Sequence, residues 1–184
     1  MRSALWAALV FTGSVALADP MLTVDPAQST LTYHLVHKLH KVAGVSHRVE
    51  GKALLLAGGK AQVMVRVPVQ SFDSGNVNRD EHMKETVEAA RFPLVELKAL
   101  AEGLTAPAKF PTTVRTPFKV QLQFHGQSQV FEVPVELTWL AADRVRADAS
   151  FDISLDAYKV ERPSLMFMKV NDALGIEAHL VFKK

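Results

Sequence analysis

The chain has 184 residues, with 21 basic and 19 acidic side chains and a formal net charge of +2. The basic residues are scattered rather than clustered, which excludes the charge pattern of a nucleic-acid-binding surface. Cysteine is absent, so no disulfide can stabilise the fold and one hydrophobic core must do so alone.

The first eighteen residues have the pattern of a secretory signal peptide. A basic start at Arg2 precedes an apolar run over residues 4–10, and the small residues Ala16 and Ala18 come before Asp19. The apolar run is shorter than the ~20 residues that span a bilayer. We predict cleavage after Ala18, a periplasmic or secreted location, and one domain over residues 19–184. An uncleaved membrane anchor is the alternative.

An alternation of apolar and polar residues with a period of two predicts most of the mature chain to be β-strand. In residues 118–124, Phe118 and Val120 belong to one face and Lys119 to the other. The sequence His125-Gly126-Gln127-Ser128 then predicts the turn of a hairpin. The predicted strands cover residues 30–35, 61–68, 94–99, 118–124, 130–139, 145–155 and 176–182.

One helix is predicted between the strands. Asn78 is its expected N-cap with Glu81 three residues later, and Met83, Val87 and Ala90 lie on one face before the sequence Arg-Phe-Pro ends it. No repeat or linker divides the chain. About eight strands with one short helical insertion predict an all-β fold, either a sandwich or a closed antiparallel barrel.

Four of the seven histidines, His34, His37, His40 and His47, lie close together in the sequence. In a regular strand His34 and His37 point to opposite faces, and His34 and His40 lie ~20 Å apart. We therefore expect no metal site. We place His34 on a polar face, His40 and His47 in a solvated connection, and His37 in a local hydrogen bond. A metal-binding or redox role is the alternative.

An ordered set of motifs resembles the YceI-like family over essentially the whole mature chain. The set comprises Tyr33-x-x-x-His37, Gly44 and Gly51, the segment 71–83 that ends in Asn-Arg-Asp-Glu-His-Met, Arg91-Phe92-Pro93, and Phe-His-Gly-Gln-Ser-Gln over residues 124–129. The resemblance implies a lipocalin-like, eight-stranded antiparallel barrel. It also implies an elongated apolar cavity for a polyisoprenoid or another long-chain amphiphile, and no shared catalytic residue.

Three positions depart from the family pattern. Gln28-Ser29 stands where the family often has His-Ser, the run from His37 to Gly44 is one residue short, and Lys159 stands where Gly is expected in residues 156–160. The last two departures concern the rim and the closing strands of the barrel.

The expected ligand-binding residues are inward-facing apolar side chains, among which methionines adapt to an irregular guest. They are Tyr33, Leu35, Val65, Met83, Val95, Leu97, Phe118, Val120, Phe131, Val133, Met166 and Met168. His37, Arg79 and His82 are candidates for a polar rim. For Arg79 and Asp80 we favour a structural role, in which Arg79 pairs with a neighbouring carboxylate and holds the loop before the helix.

The expected function is that of an exported binding protein for a polyisoprenoid, an isoprenoid quinone or another long-chain amphiphile. No catalytic motif is recognisable, and we expect no enzyme activity, no metal and no cofactor other than a bound lipid. Transient contact with a membrane surface and homodimerisation are left open as further interactions. The alternatives are a metal- or redox-associated envelope protein that uses its histidines, and a stress or scaffold protein whose barrel is filled by side chains.

Export is testable by mass. The protein recovered from the envelope fraction of its host should begin at Asp19, because signal peptidase cuts after a small residue. Intact-mass spectrometry measures this directly, and a full-length mass in that fraction would contradict the prediction.

Overall fold

A computed structural model describes residues 21–37, 40–165 and 168–184. In these ranges no helix is long and apolar enough to cross a membrane. The elements are β1 (Met21–Val24), β2 (Thr30–His37), β3 (His40–Ser46), β4 (Glu50–Leu56), β5 (Lys60–Pro68), α1 (Val77–Thr86), β6 (Leu94–Ala101), β7 (Thr112–Phe124), β8 (Gln127–Ala141), β9 (Arg144–Ser154), β10 (Ser164–Leu165), β11 (Met168–Lys169) and β12 (Ala173–Lys183).

Eight strands close into an antiparallel barrel in the order β1, β4, β5, β6, β7, β8, β9 and β12, and β1 pairs with both β12 and β4. This confirms the predicted eight-stranded barrel with one short helix. Closure pairs the edges of the ring, and side chains on alternate positions of each strand point into its interior.

The strand β12 pairs with β1 near one end and with β2 near the other. Between the two ladders, the Asp25 N–H donates to the Val181 carbonyl (2.7 Å), and the Val181 N–H donates to Ser29 Oγ (2.9 Å). Gln28, which stands where the family often has His, donates from Nε2 to Asp25 Oδ2 (3.0 Å). These hydrogen bonds pair the backbone of β12 at the gap between its two ladders. The strands β1 and β2 therefore lie one after the other along the same edge of β12.

The two ends of the barrel differ. The turn at residues 57–59, the loop 102–111 and the turn at 142–143 lie at one end, which we call the floor. The helix α1, the β7–β8 turn, the segments 155–165 and 168–172, and the β2–β3 hairpin lie at the other end, which we call the mouth. The β2–β3 hairpin joins the segment before α1 through a backbone pair between Val45 and Asp73 (2.8 and 3.0 Å).

The predicted N-cap of the helix was wrong by two residues. Asn76, not Asn78, caps α1, and its side chain accepts a hydrogen bond from the Arg79 N–H (3.0 Å). The helix ends at Thr86 with Val87 as C-cap, so Ala90 lies beyond it. The sequence offers an Asn at both positions, and the earlier one caps the helix because the chain turns at Gly75, whose φ is +75°.

No strand was predicted for β1, β3, β4, β10 or β11. The prediction for His40 was also wrong. It placed His40 in a solvated connection, whereas His40 opens β3 and pairs with His37 of β2. Gly44, which weakens the strand pattern, lies opposite Tyr33 in this hairpin, and a Cβ on Gly44 would overlap the Tyr33 ring. The contact with the Tyr33 ring therefore explains why Gly44, a residue type that is disfavoured in strands, occurs in β3.

In the described part of the chain, three non-glycine residues have left-handed backbone conformations: Glu88 (φ 48°), His125 (φ 48°) and Lys159 (φ 55°). Lys159 is exposed, and its N–H donates to the Asp156 carbonyl (3.0 Å) in a tight turn. The family's preference for Gly at this position follows from that backbone, because a Cβ is disfavoured there.

Lys159→Gly should therefore stabilise the protein. We expect a gain of roughly 0.5 to 1 kcal/mol in the free energy of unfolding, since the relief of the left-handed penalty exceeds the entropy cost of Gly. Urea denaturation measures the change. Lys159→Ala is the matched control because it removes the charge but keeps the Cβ, and an equal gain in both variants would assign the effect to charge.

Candidate functional site

The barrel encloses two apolar cavities. The upper chamber, toward the mouth, has a volume of about 230 Å³, and the lower chamber, toward the floor, about 110 Å³. Val65, Leu97, Phe151, Ala178 and Leu180 line both of them. The interior is therefore one elongated apolar space with a boundary between its two parts.

The walls follow from the strand alternation. In β7, Phe118, Val120 and Leu122 face inward and are buried, while the residues between them are exposed. In β6 the inward residues Val95 and Leu97 are half-buried and line the cavities as well. The same period of two thus supplies apolar side chains to the cavity wall from both strands.

The structure brings most of the predicted site residues onto these walls. Tyr33, Leu35, Met83 and Val95 line the upper chamber, Phe118, Val120 and Val133 the lower chamber, and Val65 and Leu97 both. Phe131 lines neither and packs against Phe151, with 5.6 Å between ring centroids. Met166 and the side chain of Met168 lie outside the described residues. Ligand contact by the lining residues stays a prediction.

The helix α1 covers part of the upper chamber. Arg79, His82, Met83, Thr86 and Val87 all line it, and their spacing of three and four residues corresponds to one helix face. Arg79, His82 and Thr86 provide hydrogen-bonding side chains on a wall that is otherwise nearly all apolar. The side chain of His37, the third predicted rim residue, is outside the described part of the chain.

Arg79 holds the loop before α1, but not in the predicted way. We expected an ion pair with a carboxylate. Instead, Nε donates to Ser74 Oγ (2.8 Å) and Nη2 to the Ser74 carbonyl (2.6 Å). The buried Asp80 carboxylate accepts hydrogen bonds from the N–H and the hydroxyl of the same serine. Ser74 thus joins both side chains, and the structural role that we favoured for them is seen in this loop.

Tyr33 lines the upper chamber beside the helix. Its ring lies over Gly44 and packs edge-on against Phe72, with 5.5 Å between centroids. Burial raises the pKa of the Tyr33 hydroxyl, and the negative charge of Asp80 adds to the rise while Arg79 opposes it. Tyr33 is therefore a neutral hydrogen-bonding group on this wall at physiological pH.

A buried histidine that the site prediction did not include joins three segments of the mouth. His125, in the β7–β8 turn, donates from Nδ1 to the Tyr158 carbonyl (2.9 Å). Glu88 Oε1, just after α1, lies 3.3 Å from Nε2 but outside hydrogen-bonding geometry. The Phe92 ring packs edge-on against the imidazole at 4.9 Å. His125 belongs to the Phe-His-Gly motif of the sequence, but its contacts could not be predicted because the residues that it touches are distant in sequence.

His34 belongs to the histidine-rich stretch on which the alternative metal-binding role depends. This side chain lies on the outer surface, and its Nε2 is 3.1 Å from Glu177 Oε2. Among residues 21–37, 40–165 and 168–184, no three His, Asp or Glu side chains converge as a metal-binding group.

A closed antiparallel barrel with an apolar interior and a helix at its mouth defines the class of ligand-binding β-barrels. The model of the YceI-like domain matches residues 22–182, and the chain belongs to that family. No curated protein matches the chain.

Two solved structures share this fold. One is a polyisoprenoid binding domain from Saccharophagus degradans implicated in plant cell wall breakdown, with 15% identity, a TM-score of 0.70, and coverage of 88% of this chain and 97% of that one. The other is BcnA of Burkholderia cenocepacia, with 20% identity, a TM-score of 0.67, and coverage of 86% and 98%. At these identities the likeness shows the fold alone.

Tyr158 should make the protein sensitive to alkali. Burial raises the pKa of its hydroxyl to about 12. Below pH 10 the tyrosine is protonated in both states, but between pH 10 and 12 only the unfolded chain ionises, so stability falls by up to about 2 to 3 kcal/mol. Denaturant midpoints across this range measure the fall. Tyr158→Phe should show a shallower decline, and identical slopes in the two proteins would contradict the prediction.

Proposed function

We propose that this protein is an exported binding protein that holds the apolar tail of a long-chain amphiphile, such as a polyisoprenoid or an isoprenoid quinone, inside its barrel. The observation that carries the proposal is the pair of adjoining chambers, about 230 and 110 Å³ in volume, on one axis of the barrel. Such an elongated apolar space is complementary to a chain rather than to a compact polar molecule.

The free energy of packing supports a purpose for this space. An apolar cavity in a protein core costs about 24 cal/mol per Å³, so these two chambers correspond to roughly 5 and 3 kcal/mol. A domain of this size has a total stability of only about 5 to 15 kcal/mol. A guest that fills the chambers recovers this free energy, whereas a scaffold barrel gains by filling its interior with larger side chains.

The distribution of polarity orients the guest. Arg79, His82 and Thr86 line the upper chamber on the helix at the mouth, while aliphatic and aromatic side chains make up the wall of the lower chamber. An amphiphile therefore binds with its tail toward the floor and its polar head near α1, where the head stays hydrated or accepts hydrogen bonds.

Export is part of the proposal and rests on the first eighteen residues. The basic start, the short apolar run and the small residues before Asp19 support a cleaved signal peptide. In the envelope, a carrier that shields an apolar tail from water would move an amphiphile between membrane surfaces. Binding, rather than catalysis, is the activity that this barrel offers.

Extraction of the purified protein tests the proposal. Protein isolated from its own host in buffer without detergent should release a long-chain amphiphile into organic solvent, at close to one molecule per chain by mass spectrometry. Extracts with no such molecule, combined with failure of the lipid-free protein to bind any member of a prenol or fatty-acid series, would overturn it.

Met83→Asp should lower the amount of bound lipid. Met83 lies on the wall of the upper chamber, and a carboxylate there must be desolvated beside an alkyl chain. Lipid per folded molecule should fall several-fold, with a smaller change in the free energy of unfolding. Val77→Asp is the matched control, because Val77 begins the same helix but is 75% exposed.

If Met83 only anchors the helix, the result reverses. Stability then falls by about 2 to 5 kcal/mol, and lipid per folded molecule stays equal to that of Val77→Asp. Lipid mass spectrometry and urea denaturation on the same two variants separate these outcomes.

A further inference from the structure

The boundary between the two chambers lies across the middle of the barrel. Val65 of β5 and Leu97 of β6 form one side of it, and Phe151 of β9 with Ala178 and Leu180 of β12 form the other. In the ring, β5 and β9 are four strands apart, and so are β6 and β12. In an eight-stranded ring four strands separate opposite walls, so these five residues face each other as a waist.

Phe151 is the largest side chain of the waist. The Phe131 ring packs against it at 5.6 Å, and Ile176 is its partner on β12. Ala178, two residues further along β12, presents only a methyl group beside it. Phe151 is thus held in place by its neighbours, and the waist is narrow at Phe151 and open at Ala178.

Below the waist, small side chains create the lower chamber. Ala53, Ala61, Ala99, Ala147 and Ala149 line it, and none of these five lines the upper chamber. The interior of a filled eight-stranded barrel requires larger side chains at inward positions. Alanines from four strands therefore line this space, and Trp139 and Phe182 bound it toward the floor.

The chamber volumes indicate how much of a chain the barrel can hold. A cavity of about 150 Å³ accommodates benzene, with six carbons. By that ratio the upper chamber holds roughly nine carbons and the lower chamber roughly four, about one isoprene unit. The two together accommodate a tail of between two and three isoprene units.

We propose that the protein selects its ligand by tail length, with Phe151 narrowing the passage between the chambers and Trp139 and Phe182 ending the space below it. A tail of about three isoprene units passes the waist beside Ala178 and ends in the alanine-lined chamber below. Further units stay at the mouth and bury no additional apolar surface. This inference rests on the proposed function and adds to it a size class of ligand.

The test titrates the lipid-free protein, beginning at Asp19, with geraniol, farnesol and geranylgeraniol, which differ by one isoprene unit each. Trp139 is the only tryptophan after residue 18 and lines the lower chamber, so its fluorescence reports occupation of that chamber. Affinity should rise at least tenfold from geraniol to farnesol, together with a change in Trp139 emission, and should not rise further for geranylgeraniol.

Two variants shift this profile in opposite directions. Phe151→Ala removes a phenyl ring at the waist and frees space for roughly one further isoprene unit, so geranylgeraniol should bind at least tenfold more tightly than farnesol. Ala149→Leu fills the lower chamber and should abolish both the gain from geraniol to farnesol and the change in Trp139 emission. Phe151→Leu is a milder substitute if Phe151→Ala does not fold.

A profile that is unchanged in the folded Phe151 and Ala149 variants would overturn the role of the waist. A continued tenfold rise from farnesol to geranylgeraniol in the parent protein would overturn the size class. Either result leaves prenol binding itself intact, so failure of this inference is distinct from failure of the proposed function, in which no member of the series binds.

Discussion

The shared edge of β12 is the constraint on which the architecture depends. One strand pairs with β1 toward the floor and with β2 toward the mouth, and the buried residues Asp25 and Ser29 satisfy the Val181 peptide between the two ladders. An unpaired backbone group at this place would cost a hydrogen bond in the core. Because the backbone groups of Val181 are hydrogen-bonded, the first part of the chain can close the ring at the floor and still extend into a hairpin at the mouth.

The difference between the chambers follows from this arrangement. Toward the floor, β1 pairs with both β12 and β4, so a complete ring of eight strands surrounds the lower chamber. Toward the mouth, the β2–β3 hairpin takes the place of β1, and the Val45–Asp73 backbone pair and the Ser46–Ser71 hydroxyl contact (2.7 Å) join β3 to the segment before α1. The helix covers the remaining width. The upper chamber is therefore larger, and its wall includes the polar side chains of the helix in addition to the Tyr33 hydroxyl of β2.

Alternation alone predicted the strands with one clearly apolar face, including β2, β5, β6, β7 and β8. Their number left a sandwich or a barrel open, and the resemblance to the YceI-like family selected the barrel. Alternation did not predict β3, because Gly44 interrupts its pattern where the Tyr33 ring occupies the space of a side chain. The local capping motif gave the wrong N-cap, because Asn76 caps the helix although Asn78 fits the motif as well. Most predicted lining residues lie on the cavity walls, since the period of two identifies the inward face. The same period could not show that the barrel is hollow. The small inward residues Ala147 and Ala149 carried that signal, because they cannot reach the axis of the barrel.

The interactions around the mouth include buried contacts on both of its sides. On the β7–β8 side, the buried His125 joins the turn to the Tyr158 carbonyl and lies against Glu88 and Phe92. On the β3 side, the Val45–Asp73 backbone pair and the buried Ser46 hydroxyl, 2.7 Å from Ser71 Oγ, hold the hairpin, and the buried Asp80 carboxylate accepts hydrogen bonds from Ser74 in the loop. The exposed hydrogen bonds of Arg79 to Ser74 add little net stability, because such bonds exchange readily with water. The wall of the upper chamber that Tyr33 and Met83 line therefore rests on buried polar contacts as well as on apolar packing.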